Sequence, residues 1–112
     1  MLIIYKNEDR TVELKFLKQL SDGTTEPFPL TGVTAMTVKL PTTTATPLEK
    51  TLLTGVTVTN AEAGKASVAL SDADTALLKE GEKMSFVAVV DKGTERRICV
   101  FDKVLTVRKS PL

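Results

Sequence analysis

The sequence predicts an all-β fold, and three observations carry the prediction. Short runs alternate apolar and polar residues with a period of two, turn signals separate the runs about every ten residues, and threonine is abundant throughout. Threonine's branched β-carbon favours pleated backbone while its hydroxyl tolerates water, which suits outer faces and edges of sheets. At 112 residues the chain fits one domain, spanning 1–112. A domain of that size removes roughly two-thirds of its unfolded surface from water, enough for a core without covalent staples.

Residues 2–5 form a short apolar strand, read as an edge strand or a contact with another chain. Residues 11–16 alternate, with Val12, Leu14 and Phe16 on one face and Thr11, Glu13 and Lys15 on the other. Asp22-Gly23 signals a two-residue hairpin with positive φ at both turn positions. The returning arm ends at Pro27 and Pro29, which lack the donors of a central ladder, so the arm is peripheral. Met36, Val38 and Leu40 then define a second clear strand that Pro41 terminates. The threonine-rich stretch 42–46 reads as an exposed loop. Two shorter strands flank Gly55, Gly64 is the natural positive-φ residue of the next turn, and Ala66, Val68 and Leu70 point inward from the strand that follows.

Ser71 and Asp74 fit a capping box that opens a short helix over residues 72–79, with Gly81 expected as its left-handed terminator. Such a helix is too short to stand alone, so it is read as a crossover from one sheet to another. Residues 84–90 are apolar on both faces in their second half, as in a central strand. Residues 91–94 suit a type I turn with a glycine bulge leading into residues 95–101, and 103–108 form a last strand with Leu105 and Val107 inward. The tail, 109–112, is expected to be exposed. Seven to nine short antiparallel strands with one crossover helix near 72–79 are the pattern of an immunoglobulin-like β-sandwich.

Catalytic and ligand chemistry finds no constellation in this sequence. There is no histidine, which removes imidazole bases, conventional triads and most zinc sites. The acidic pairs Glu8/Asp9, Asp72/Asp74 and Glu80/Glu82 read as turns and a helix cap, without the spacing of a calcium loop. The six glycines fall at turns and strand ends rather than in a phosphate-cradling loop. Cys99 is the one cysteine, so no internal disulfide forms, and its neighbours make it a buried strand residue. A net charge of +1 argues against nucleic acid as a partner, and Arg96 and Arg97 read as charges that blunt an edge strand. Phe16, Phe86 and Phe101 fit the core, which leaves Tyr5 and Phe28 for a surface role. Residues 1–5 are too short for a signal peptide or a membrane span. No enzyme activity, cofactor, metal, nucleic acid or membrane is expected.

Three segments carry a resemblance: residues 30–40 (LTGVTAMTVKL), 64–75 (GKASVALSDADT) and 86–90 (FVAVV). Together they resemble the immunoglobulin-like domain of bacteriophage baseplate upper proteins and related tail and fibre proteins. In that family a Leu-Thr-Gly lead-in precedes an alternating strand, and a glycine, strand and Ser/Thr-x-Ala-Asp-Thr helix precede another. The resemblance spans roughly residues 11–107. It implies a non-enzymatic virion structural protein of tail, baseplate, fibre or capsid, made in the host cytoplasm and residing in the virion, with other virion proteins as partners. The candidate interaction surface is the apolar strand Leu2, Ile3, Ile4 and Tyr5 together with Thr42, Thr43 and Thr44; the strand would add to a partner's sheet or pack in a homo-oligomer. The alternative expectation is a stand-alone binding module for a bacterial cell-surface polymer, using the loops 42–46 and 92–95.

Overall fold

A computed structural model describes residues 2–93 and 95–111; Met1, Thr94 of the expected glycine-bulge turn and Leu112 of the expected exposed tail lie outside the described residues. The described chain is mostly β. Its elements are β1 (Leu2–Tyr5), β2 (Arg10–Lys15), β3 (Leu17–Gln19), β4 (Thr25–Pro27), β5 (Ala35–Leu40), β6 (Leu48–Leu52), β7 (Gly55–Asn60), β8 (Lys65–Leu70), α1 (Asp72–Leu77), β9 (Gly81–Asp91) and β10 (Arg96–Arg108).

Eight strands form one hydrogen-bonded sheet in the order β1-β10-β9-β5-β6-β7-β8-β2, while β3 and β4 make a separate ribbon. β2, β5 and β8 alternate as the sequence indicates, and so does the second half of β9; in β10 the three consecutive residues Leu105, Thr106 and Val107 are all buried. Ile4 from one end of the sheet and Val12 and Leu14 from the other belong to the same buried cluster as Met36, Val38, Val56, Val68 and Leu105. A sheet whose two end strands share one core has curled nearly into a barrel, which a strongly twisted eight-stranded sheet does to bury its apolar face.

Two pairings depart from the expected antiparallel pattern. β1 runs parallel to β10, matching Leu2 to Leu105 and Tyr5 to Arg108. β6 and β7 are parallel over only Thr51↔Gly55 and Leu52↔Val56. Here the chain makes one tight loop and continues in its original direction, with Thr54 N donating to Thr51 O at 2.9 Å and Leu53 N to Val56 O at 2.8 Å. The loop is a corner of the sheet, and it requires positive φ at Leu53 (67°) and Gly55 (102°). Nor are all strands short. β9 and β10 contain 11 and 13 residues, because the break expected after residue 101 is a bulge between Phe101 and Leu105, with Lys103 at φ 54°, rather than a strand end.

The Asp22-Gly23 hairpin forms, but positive φ is confined to Gly23; the Asp22 carboxylate instead accepts from Thr24 N (3.0 Å) and Thr24 Oγ1 (2.6 Å). Those hydrogen bonds hold the Asp22 carboxyl below its ordinary value. Gly64 has the expected positive φ, 70°, and is buried where Phe16 N donates to its carbonyl at 2.7 Å.

The capping box is complete: Asp74 N donates to Ser71 Oγ at 3.1 Å and Ser71 N to Asp74 Oδ2 at 2.9 Å. Its terminator is not Gly81. The helix ends at Leu77, and Leu78 at the cap is extended and fully buried. Burying Leu78 takes the chain out of the helix two residues early, and Gly81 begins β9. The helix therefore joins β8 to β9 within one sheet, passing the three strands β5, β6 and β7 that lie between them.

Candidate interaction edge

The residues Arg96-Arg97-Ile98-Cys99-Val100-Phe101-Asp102 form the outer half of β10. On one side they pair with β9, from Arg96↔Asp91 to Phe101↔Phe86. On the other side β1 covers only Leu105 to Arg108. Among the described residues no strand pairs with residues 96–103 on that second side, so a stretch of sheet edge stands open.

Alternation gives this edge two different faces. Ile98 and Val100 point outward and are 68% and 61% exposed. Cys99 and Phe101 point the other way and are half-buried. Phe101 stacks on Phe86 at 4.7 Å between centroids and meets Phe16 edge-on at 5.7 Å, which anchors the inner face of the strand. Beside it lies an open groove of about 620 Å³ between residues 15–18 and residues 97–101, with Phe28 in its lining. Phe28 is 8% exposed, so it belongs to the core and not to the surface role expected of it; Lys92 sits over its ring at 4.5 Å.

The hairpin turn fixes which backbone groups face outward. Lys92 N donates to Glu95 O at 2.8 Å. Carrying the antiparallel alternation along the register, Arg97, Cys99 and Phe101 direct their N–H and C=O toward β9, whereas Ile98 and Val100 direct theirs to the open side. Lys103 N, which donates to Ser85 Oγ at 3.0 Å, keeps the same phase, and Ser85 Oγ donates to Asp102 Oδ1 at 2.7 Å. Charges flank the apolar centre. Arg97 Nε contacts Glu95 Oε1 at 2.6 Å and Arg96 Nε lies 3.8 Å from Asp91 Oδ1, all on exposed side chains. Burial pushes the Cys99 thiol above its ordinary value, against the opposing pull of the Arg97 charge.

The residues singled out from sequence are placed elsewhere. In β1, Ile4 is fully buried, Leu2 and Ile3 are half-buried and Tyr5 is 36% exposed. Its parallel pairing to β10 commits one edge of the strand to its own sheet. Thr42 and Thr44 bond within their loop: Thr42 Oγ1 lies 2.6 Å from the Thr46 carbonyl and 3.1 Å from Thr44 Oγ1. Thr43 N donates to Leu77 O at 3.2 Å. The helix also holds the connection that follows β1, where Glu8 N donates to Thr75 Oγ1 at 3.1 Å. The open edge was missed because 97–101 looks like core; the signal was present in Ile98 and Val100, apolar residues on the face where an exposed hairpin normally carries polar ones.

Among the described residues no group of three or more Cys, Asp or Glu side chains is placed to hold a metal ion, and no helix is long and apolar enough to cross a membrane. Compared with known proteins, the chain matches no family and no curated protein.

Proposed function

We propose that this chain is a non-enzymatic structural module of a bacteriophage particle that assembles with other virion proteins by adding strands across the β10 edge. The open backbone and exposed Ile98 and Val100 at that edge carry the reading. Unpaired strand edges bearing apolar side chains are templates for another strand, and proteins that do not use them blunt them with charge, proline or cover. Here charge sits only at the ends of the stretch.

The immunoglobulin-like sandwich belongs to the same proposal. Dividing the sheet at the two-residue β6–β7 pairing gives β1-β10-β9-β5-β6 and β7-β8-β2, two layers meeting over the shared core. This division, with the three resembling segments, supports the tail- and baseplate-module reading. The bonds among the loop threonines leave the polymer-binding alternative without an observation in its favour.

The test is mass spectrometry of gradient-purified particles from the phage that encodes the chain. The protein is expected in the particle, and a variant with Ile98→Lys and Val100→Lys is expected to be lost from it while retaining its far-ultraviolet circular dichroism. Absence of the unmodified protein from purified particles overturns the proposal.

A further inference from the structure

Resting on the reading of the β10 edge as the working surface, we propose that one of its occupants is a second copy of the same strand. In this dimer the two β10 edges pair antiparallel about a twofold axis at Cys99. The side chains are self-complementary in that register. Ile98 of one protomer lies opposite Val100 of the other, and Arg96 lies opposite Asp102, so each apolar pair is bracketed by a pair of opposite charge. On the other face Arg97 lies opposite Phe101, a cation against a ring. A twofold axis makes every such pairing occur twice, as an isologous interface requires.

The backbone phase agrees independently. Ile98 and Val100 direct their N–H and C=O to the open side, so across the axis they become a hydrogen-bonded pair. Cys99, whose N–H and C=O face β9, becomes a non-hydrogen-bonded pair with its own copy. Cα atoms in such pairs stand about 4.5 Å apart, inside the range a disulfide spans. The bulge at Lys103 turns the strand after Asp102, which ends the pairing where the charge match ends. Shifting the register by one residue would set Ile98 opposite Phe101 or Cys99 and break the charge match.

Sedimentation of the intact chain from about 1 to 100 μM tests the proposal directly, since that range separates weak from moderate self-association. The unmodified protein is expected to dimerise, and Ile98→Lys with Val100→Lys to be monomeric. Arg96→Asp and Asp102→Arg each place like charges opposite one another and are expected to weaken dimerisation roughly tenfold. Mixing those two variants restores opposite charges at both ends, so a heterodimer forms at the unmodified affinity. That rescue does not depend on the Ser85 hydrogen bond that Asp102→Arg removes. Diamide, taking two electrons and two protons from the paired thiols, is expected to join two chains through Cys99, and Cys99→Ser to abolish the link.

A monomer at every concentration overturns the self-pairing, as does a dimer indifferent to both charge changes or one that diamide does not link. Those results are separable from failure of the assembly reading. An unmodified monomer that enters the particle, and loses that ability with Ile98→Lys and Val100→Lys, removes the second copy as occupant and leaves the edge as a docking strand for another virion protein.

Discussion

At the scale of single residues, two turn positions show how far local chemistry decides stability. Gly64 has φ 70°, and a Cβ built there would meet the Phe28 carbonyl oxygen at 2.5 Å and the Phe16 carbonyl oxygen at 2.8 Å. Both obstacles are backbone, and those backbones are held to each other by the Phe28 N hydrogen bond to Phe16 O at 2.9 Å. Gly64→Ala is therefore expected to cost at least ~2 kcal/mol, from left-handed strain plus displacement of the backbone at Phe16, between β2 and β3, and at Phe28, just past β4, measured as a lower midpoint in urea. Leu53 is the opposite case. It is 87% exposed at φ 67°, so its side chain contributes no burial while its backbone is strained. Leu53→Asn keeps the left-handed corner and is expected to stabilise the fold by about 0.5–1 kcal/mol, read from the same denaturation curve. Gly64 was legible in the sequence because glycine in a turn announces positive φ. Leu53 was not, because the constraint comes from the corner between β6 and β7, which no single residue type signals.

Among the elements, the helix was legible at its start and not at its end. Ser71 and Asp74 specify the capping box through their own side chains, a local interaction that any context permits. The early exit at Leu77 depends on Leu78 being drawn into a core assembled from distant strands, so only the fold reveals it. The same element explains why Thr75 is fully buried: its Oγ1 donates to Glu8 O at 2.8 Å and accepts from Glu8 N at 3.1 Å, fastening the helix to the β1–β2 connection. Thr75→Val preserves shape and strands both Glu8 groups, with an expected loss of about 1–3 kcal/mol in chemical denaturation. The cap also sets a pH response. Burial raises the Asp74 carboxyl, but the Lys50 ammonium at 2.8 Å and the hydrogen bonds to Ser71 outweigh it and leave Asp74 below its ordinary 3.8. A depressed folded value means that the contribution is complete above the unfolded value and disappears as pH falls through the folded one. Thermal melts from neutral pH down to about pH 2 should thus fall less steeply for Asp74→Asn than for the unmodified chain.

For the whole molecule, the sequence defined the alternating strands but not their order, because a period of two says which face is buried and not which neighbour is paired. The pattern of residues 2–5 illustrates this: an apolar strand near one end of the chain suits a partner's sheet as well as its own, and the structure assigns it to its own. That assignment reverses the meaning of removing it. Were β1 only a docking arm, a chain lacking residues 2–6 would be a stable monomer. Instead Ile4 is fully buried against a core that includes Leu105 and Val107, and Lys6 N donates to Arg108 O at 2.9 Å beyond the strand. Deletion would take Ile4 out of the core, uncover the backbone of Leu105 to Arg108, and extend the open β10 edge along nearly its whole length. The isolated Ile4→Ala change is expected to cost about 2–4 kcal/mol, a large part of the stability of a domain this size. The deletion should cost more and add concentration-dependent aggregation, because a long uncovered edge recruits other chains without the register that charge complementarity enforces. Light scattering and urea unfolding on both variants check this, and a soluble, fully stable deletion variant would show that β1 is dispensable to the core.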